Sequence, residues 1–206
     1  METLAASEYP AGNGSGRTPQ DAFHKLIADL SRALGPTSGL NSDGVDVHEL
    51  HLLMASYVSD EEEWGILVDE GNGKSNLLVL IWSPGRRSPI HDHADAHCLM
   101  KVLKGSLKET RFKLPSKNTT APPKVTQETL YEAGHTAYMA DELGLHKISN
   151  PDLENVAVSL HLYTPPNAAK EGCYIYNETT GQKSHVTQSN FYSIYGENVE
   201  SFQSMK

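Results

Sequence analysis

Two histidines placed two residues apart, His91 and His93, constrain this chain more than any other feature. They lie in the stretch between Gly85 and Gly105, which continues into apolar residues. On a β-strand alternate residues share a face, so we expect both imidazoles to point the same way. Two imidazoles on one face can bind a divalent metal if a third donor comes from elsewhere in the chain. The stretch therefore predicts one half of a metal site.

Composition is typical of a globular protein. The chain has 206 residues, of which 38% are hydrophobic and 21% charged, so we expect one domain with a real core. The net charge of −9 argues against nucleic acid or an anionic membrane as a partner. The two cysteines, Cys98 and Cys173, and an N-terminus without the pattern of a signal peptide favour a reducing compartment. We expect a cytoplasmic protein.

The chain divides into three parts by composition. Residues 1–17 are rich in small residues and are predicted to be disordered, and residues 197–206 to form a flexible tail. Residues 18–196 are predicted to be a single domain that begins with helices. The first helix begins near Thr18, because the Pro that follows suits a first helical position.

Two further helices are predicted before the strands. One begins near Asp46, which precedes apolar residues at helical spacing. The other begins near Ser59, which has capping-box spacing to Glu62, but it meets Gly65 almost at once. This third helix is therefore unusually short.

From Ile66 onward the hydrophobic period becomes that of strands, with a turn at Asp69–Gly73. The predicted strands are Asn76–Trp82, Cys98–Leu103, Ser106–Phe112, Lys124–Tyr131, Thr136–Met139, Leu145–Ser149, Asn155–Tyr163, Cys173–Asn177 and His185–Phe191. The first of them is apolar throughout, which is typical of a strand buried on both faces. Many short strands at close spacing predict a mainly β fold, a sandwich or a barrel, behind a small helical part.

The glycine spacing around His91 and His93 resembles the first cupin motif, G-x5-H-x-H-x4-E-x6-G, except that Cys98 replaces the glutamate. A later segment carries His146 with Asn150 four residues on, which resembles part of the second cupin motif. The resemblance implies a cupin, a jelly-roll-like β-barrel that holds a metal inside. Its protein ligands would be three neutral histidines, which suit iron with open positions or zinc with a water.

Three segments, SPIHDHADAHC, GLHKISN and SLHLYTPP, resemble the thiol dioxygenases of the cysteine dioxygenase family, over about residues 67–191. The resemblance implies that His91, His93 and His146 bind Fe(2+). It also implies a thioether cross-link between Cys98 and Tyr163. The reaction implied is oxidation of cysteine by O2 to cysteine sulfinic acid, in a protein that we expect to be a monomer.

The same resemblance implies a relay of Ser159, His161 and Tyr163. Strand alternation independently puts these three side chains on one face of the predicted strand Asn155–Tyr163, opposite its valines and leucines. From the pattern alone, His161 and Tyr163 could equally be a hydrogen-bonded core pair, and Cys98 a buried apolar filler.

One departure from the family lies upstream. The segment LVDEGNGK at residues 67–74 is intact, but the arginine that the family uses for the substrate carboxylate is absent just before it. The simplest alignment has a deletion between Trp64 and Ile66. Either the chain is a true variant, or a gene model or isoform skips a segment, and we favour the second. Alternatives to cysteine oxidation are a dioxygenase for another small thiol, such as mercaptopropionate or cysteamine, and a catalytically impaired or silent cupin.

Overall fold

The fold was analysed in a computed structural model. The structure describes residues 22–35, 44–60, 69–71, 74–115, 121–187, 193–194 and 197–198. The suspected deletion, the predicted third helix beyond residue 60 and residues 1–17 lie outside the described part of the chain. Of the predicted flexible tail, residues 197–198 are described and form a short strand. Within them, no helix combines the length and the apolar character that a membrane span requires.

Two helices precede the strands: α1, Ala22–Leu34, and α2, Val47–Ser56. Helix α2 begins where it was predicted to, because the side chain of Asp46 accepts a hydrogen bond of 3.0 Å from the backbone N–H of Glu49. Both helices turn apolar residues at helical spacing toward the strands, and these residues are buried. A third helix, α3, Asn167–Glu171, was not predicted.

The strands of the described chain form two large antiparallel sheets and one small pair. They are β1 Asp69–Gly71, β2 Asn76–Trp82, β3 Ile90–His91, β4 His97–Lys104, β5 Ser106–Phe112, β6 Val125–Glu132, β7 Thr136–Met139, β8 Leu145–Ser149, β9 Ala157–Thr164, β10 Cys173–Tyr176, β11 Lys183–Val186, β12 Ser193–Ile194 and β13 Glu197–Asn198. The first sheet has the order β1-β2-β9-β4-β7, the second β11-β10-β3-β8-β5-β6, and β12 pairs with β13. The mainly β prediction, a cupin barrel with N-terminal helices, is confirmed.

Strand β9 of the first sheet is buried on both faces over most of its length. Its residues Val158, Leu160 and Leu162 pack in one apolar cluster with α1 and α2. The alternate residues, including Ser159 and His161, face the interior of the barrel and are buried as well. The helices therefore cover only the outer face of β9, and polar side chains occupy its inner face.

Most strand boundaries were predicted within two residues. The structure differs from the prediction in the burial of β2, in the turn before it and in the length of the strand predicted at 185–191. Strand β2 is buried only from Asn76 to Val79, and Ile81 is 67% exposed because the helical layer contacts Leu77 and Val79 but does not reach it. The predicted turn begins as strand β1, which pairs with β2. The predicted strand at 185–191 is β11, which ends at residue 186.

Candidate metal centre

The three histidines that sequence motifs single out lie together inside the barrel. His91 on β3 is the direct register partner of His146 on β8. One candidate ligand atom from each of His91, His93 and His146 lies within 4.8 Å of the others. Ring centroids are 4.6 to 5.3 Å apart. The chain thus brings all three predicted ligands to one point.

His93 reaches this point by a route that differs from the prediction. Strand β3 ends at His91, so the two histidines do not share a strand face. Instead, Asp141 accepts backbone hydrogen bonds from His93 at 2.7 Å and from Asp95 at 2.8 Å. Ala94 and Asp95 adopt positive φ angles of 52° and 61°, which turn the chain sharply. A carboxylate from a distant segment therefore places His93.

The hydrogen bonds of the imidazoles leave nitrogen lone pairs free for a metal. The Nδ1 atom of His91 lies 3.0 Å from the carbonyl oxygen of Pro89, and Nδ1 of His146 lies 2.8 Å from Glu109 Oε1. Both partners are acceptors, so Nδ1 carries the proton and Nε2 presents a lone pair. The buried ring nitrogens of His93 have no hydrogen-bond partner among the described residues. Orphaned buried nitrogens beside two free lone pairs fit a divalent cation.

Electrostatics keep two of the imidazoles neutral. Burial, with the neighbouring imidazole of His93, lowers the pKa of His91 to about 4 and that of His146 well below its ordinary value. Burial also disfavours charge on His93, but the Asp141 carboxylate and Cys98 outweigh it and raise the pKa of His93 to about 9. A neutral imidazole is the form that binds metals, so His91 and His146 are ready ligands at neutral pH.

Cys98 and Tyr163 adjoin this centre on neighbouring strands. They are direct register partners in the β4–β9 ladder, which brings their side chains to one place on the sheet. The Tyr163 ring stacks on His93 with centroids 6.2 Å apart. Burial and the neighbouring Cys98 raise the pKa of Tyr163 well above its usual range, so the phenol keeps its proton.

A chain of hydrogen bonds leads from Trp82 to Tyr163. Trp82 Nε1 donates to Ser159 Oγ at 2.8 Å, and Ser159 Oγ lies 2.8 Å from His161 Nε2. The remaining ring nitrogen, His161 Nδ1, lies 3.2 Å from the Tyr163 hydroxyl oxygen. An indole N–H can only donate, and the Ser159 hydroxyl has no other acceptor among the described residues. The arrangement that satisfies every group therefore has Ser159 donating to His161 Nε2 and the proton of His161 on Nδ1. Tyr163 therefore accepts from His161, and its own proton is available to the centre.

Three contributors were missed in the sequence: Asp141, Trp82 and Glu109. Trp82 closes an apolar strand run, and nothing in the sequence marks its indole as a donor. Glu109 left a signal in its strand: alternation puts it on the same face of β5 as Leu107, and that face is buried, so a carboxylate points into the core.

Comparisons with known proteins point to one family. Residues 24–178 match the family model described as cysteine dioxygenase type I. Cysteine dioxygenase type 1 from Rattus norvegicus and from Homo sapiens are each 39% identical over 184 residues, which cover 84% of this chain and 88% of the relative. The Danio rerio protein of that name is 40% identical over 185 residues, covering 84% and 89%. The chain belongs to the cysteine dioxygenase family.

Similarity to solved cupin structures covers a smaller part of this chain than similarity to the cysteine dioxygenases does. A cupin-2 domain containing protein from Shewanella frigidimarina covers 46% of this chain and 74% of its own, at 15% identity and a TM-score of 0.32.

Two arginines shortly before His91 could in principle bind a substrate carboxylate, but they do not face the centre. Arg86 and Arg87 are exposed, and Arg87 lines a groove on the outer surface together with Lys108 and Glu128. A third arginine, Arg111, lies near His146 but its Nε donates to Glu109 at 2.9 Å. Within the described part of the chain, the arginine that the family uses for the carboxylate has no evident replacement.

Proposed function

We propose that this protein catalyses the iron(II)-dependent oxidation of L-cysteine by O2 to cysteine sulfinic acid. The observation that carries the proposal is the buried grouping of His91, His93 and His146 beside the paired Cys98 and Tyr163. Membership of the cysteine dioxygenase family supports the same reaction. Both atoms of O2 are transferred to the thiol sulfur, a four-electron oxidation that balances without a further reductant.

The donor set suits an anionic substrate. Once His93 has given up its proton to bind a metal, the three imidazoles are all neutral and add no negative charge, so a bound divalent ion keeps its full positive charge and has open positions. When iron(II) is bound, it supplies a site for the substrate thiolate and reactivity toward O2. The protein contributes a preorganised site in which the imidazoles of His91 and His146 are each oriented by a hydrogen bond from Nδ1.

Tyr163 is proposed as the hydrogen-bond donor to the substrate or its oxygen. His161 occupies the acceptor side of the hydroxyl, so the phenol proton points away from the relay. Burial and neighbouring imidazoles lower the pKa of His161 to about 3, so the relay stays uncharged at neutral pH. Ser159 holds the His161 ring from the other nitrogen.

Cys98 and Tyr163 are proposed to form a thioether. A sulfur–carbon bond would replace one S–H bond and one ring C–H bond, and O2, a substrate of the proposed reaction, would accept the two hydrogens and two electrons. The cross-link would fix the Tyr163 ring and remove rotamer freedom that the folded state otherwise has to restrict.

The proposed activity is tested with purified, iron-loaded protein. Oxygen uptake should require cysteine, and His146→Ala should lose both bound iron and oxygen uptake because one of three ligands is gone. His48→Ala is the matched control, since His48 lies exposed on helix α2 and away from the barrel interior. Full oxygen uptake by His146→Ala would rule out the assigned site.

The alternative substrate class follows from the absent arginine. Losing a charge-assisted bidentate contact costs about 2–3 kcal/mol, which corresponds to roughly 30- to 150-fold in affinity. We therefore expect weak saturation by cysteine and little discrimination against cysteamine, which has no carboxylate. Steady-state oxygen uptake with the two thiols measures this. Strong preference for cysteine, with tight saturation, would show that another group binds the carboxylate.

A further inference from the structure

A buried carboxylate faces one of the candidate metal ligands. Glu109 on β5 is 1% exposed, and its Oε1 atom lies 2.8 Å from Nδ1 of His146. Its other oxygen, Oε2, accepts from Arg111 Nε at 2.9 Å and from the Tyr131 hydroxyl at 3.3 Å. The two oxygens thus have separate partners, and Oε1 is left to the imidazole.

Arg111 is itself held in place. Its Nη2 donates to the carbonyl oxygen of Tyr138 at 2.7 Å, so the guanidinium spans from β5 to β7 in the opposite sheet. A buried carboxylate is costly unless it is paired and hydrogen-bonded. Here the cation and the phenol satisfy one oxygen and restrict the rotation of the carboxylate, so the other oxygen stays aimed at His146.

The other two candidate ligands have different surroundings. The Nδ1 atom of His91 meets a neutral backbone carbonyl, that of Pro89, at 3.0 Å. The Nδ1 atom of His93 lies 3.7 Å from Asp141 Oδ1, beyond hydrogen-bond length. Of the three candidate ligands, His146 is therefore the one whose ring donates a full hydrogen bond to a carboxylate of the described residues.

We propose that Glu109 is a positioning residue that sets the tautomer of His146 and strengthens it as a metal ligand, and that Arg111 acts only by holding Glu109. Because Glu109 accepts a hydrogen bond from Nδ1–H, the proton stays on Nδ1 and the Nε2 lone pair faces the centre. The negative charge of Glu109 also makes the imidazole a stronger electron-pair donor to a metal. The inference rests on the proposed metal site and extends it to a residue pair outside the family motifs considered above.

The first experiment measures zinc affinity by competition with a chromophoric chelator, which avoids redox chemistry. Glu109→Gln should raise the dissociation constant about 10- to 100-fold, the usual loss when such a carboxylate is removed. Glu128→Gln is the matched control, because this carboxylate lies on the neighbouring strand β6 and is exposed, bonded to Lys108. The control should stay within about twofold of wild type.

The second variant separates the role of the arginine. Arg111→Met should weaken zinc binding in the wild-type background and cause no further loss in the Glu109→Gln background, because both changes act through one carboxylate. Lys108→Met, three residues away on the same strand with its side chain on the outer surface, is its control. Additive losses would overturn the assignment of Arg111.

The outcomes are distinguishable from failure of the proposed function. Wild-type protein that binds no zinc would remove the metal site itself and the inference with it. Equal zinc affinity for Glu109→Gln and Glu128→Gln would overturn the inference alone. If Glu109→Gln does not fold, 15N-histidine NMR of metal-free wild type decides, with the His146 signals assigned from a His146→Gln variant. A proton on Nδ1 supports the proposal, and a proton on Nε2 overturns it.

Discussion

The direction of the relay depends on Trp82, and Trp82→Phe tests this. The indole N–H donates to Ser159 at 2.8 Å, and this bond polarises the serine hydroxyl so that it donates more strongly to His161 Nε2. Phenylalanine keeps an aromatic ring at this position but has no donor. In the variant this polarisation is lost, so the other neutral tautomer of His161 becomes more populated.

The expected magnitude follows from the single hydrogen bond that is lost. Its net value is about 1 kcal/mol, and since Ser159 keeps His161 as a partner, no buried group is left unsatisfied. One kcal/mol corresponds to roughly a fivefold change in the tautomer ratio. If wild type holds about four-fifths of His161 with the proton on Nδ1, the variant would hold about half. Turnover should therefore fall by only about twofold.

The direct assay is 15N-histidine NMR of His161 in the two proteins, with turnover as the second readout. Wild type should show the Nδ1-protonated form, and Trp82→Phe should show a mixture. Ser159→Ala should give the same mixture, and combining it with Trp82→Phe should add nothing. An unchanged Nδ1-protonated signal in Trp82→Phe would refute the claim that Trp82 sets the direction of the relay.

Three further predictions concern cross-linking, pH and stability. Intact-mass measurement should find wild-type molecules lighter by two hydrogens after turnover and none in Cys98→Ser. Because the pKa of His161 is lowered to about 3 in the fold, the neutral ring contributes stability above pH 6.5 that is lost as pH falls toward 3. As the pH falls through this range, the free energy of unfolding of metal-free wild type, measured by urea titration, should drop by up to about 1.4 kcal/mol per pH unit more than that of His161→Gln. Equal pH dependence of the two free energies would contradict this. Buried Lys101 donates to the carbonyl oxygens of Ala55 at 3.0 Å and Gly134 at 3.3 Å. Lys101→Met should therefore lower the free energy of unfolding by about 2 kcal/mol. An unchanged urea midpoint would show that these bonds do not anchor α2.

Much of the architecture could be predicted because hydrophobic period and pairing agree in most strands. Strand β9 is the clearest case: its leucines and valines meet the helices, and its polar residues face the centre. The prediction for β2 was less accurate, since an apolar run does not reveal how far a covering layer extends along a strand. Ile81 is exposed where that layer ends.

The placement of His93 and the partners of His146 could not be predicted from spacing. The first depends on Asp141, which is 48 residues away in sequence, and the second on Glu109, 37 residues away. These contacts form where strands β5 and β8 pair and where two turns come together. A local sequence pattern does not predict such long-range contacts. The alternation within β5 did indicate that Glu109 is an inward-facing charge, although it did not indicate which residue Glu109 contacts.

The central claim is that this chain places both atoms of O2 on the sulfur of cysteine. Product made under 18O2 by iron-loaded wild type should be cysteine sulfinic acid carrying two 18O atoms, as read by mass spectrometry. Product with one or no labelled oxygen, or disulfide as the sole product, would contradict the account.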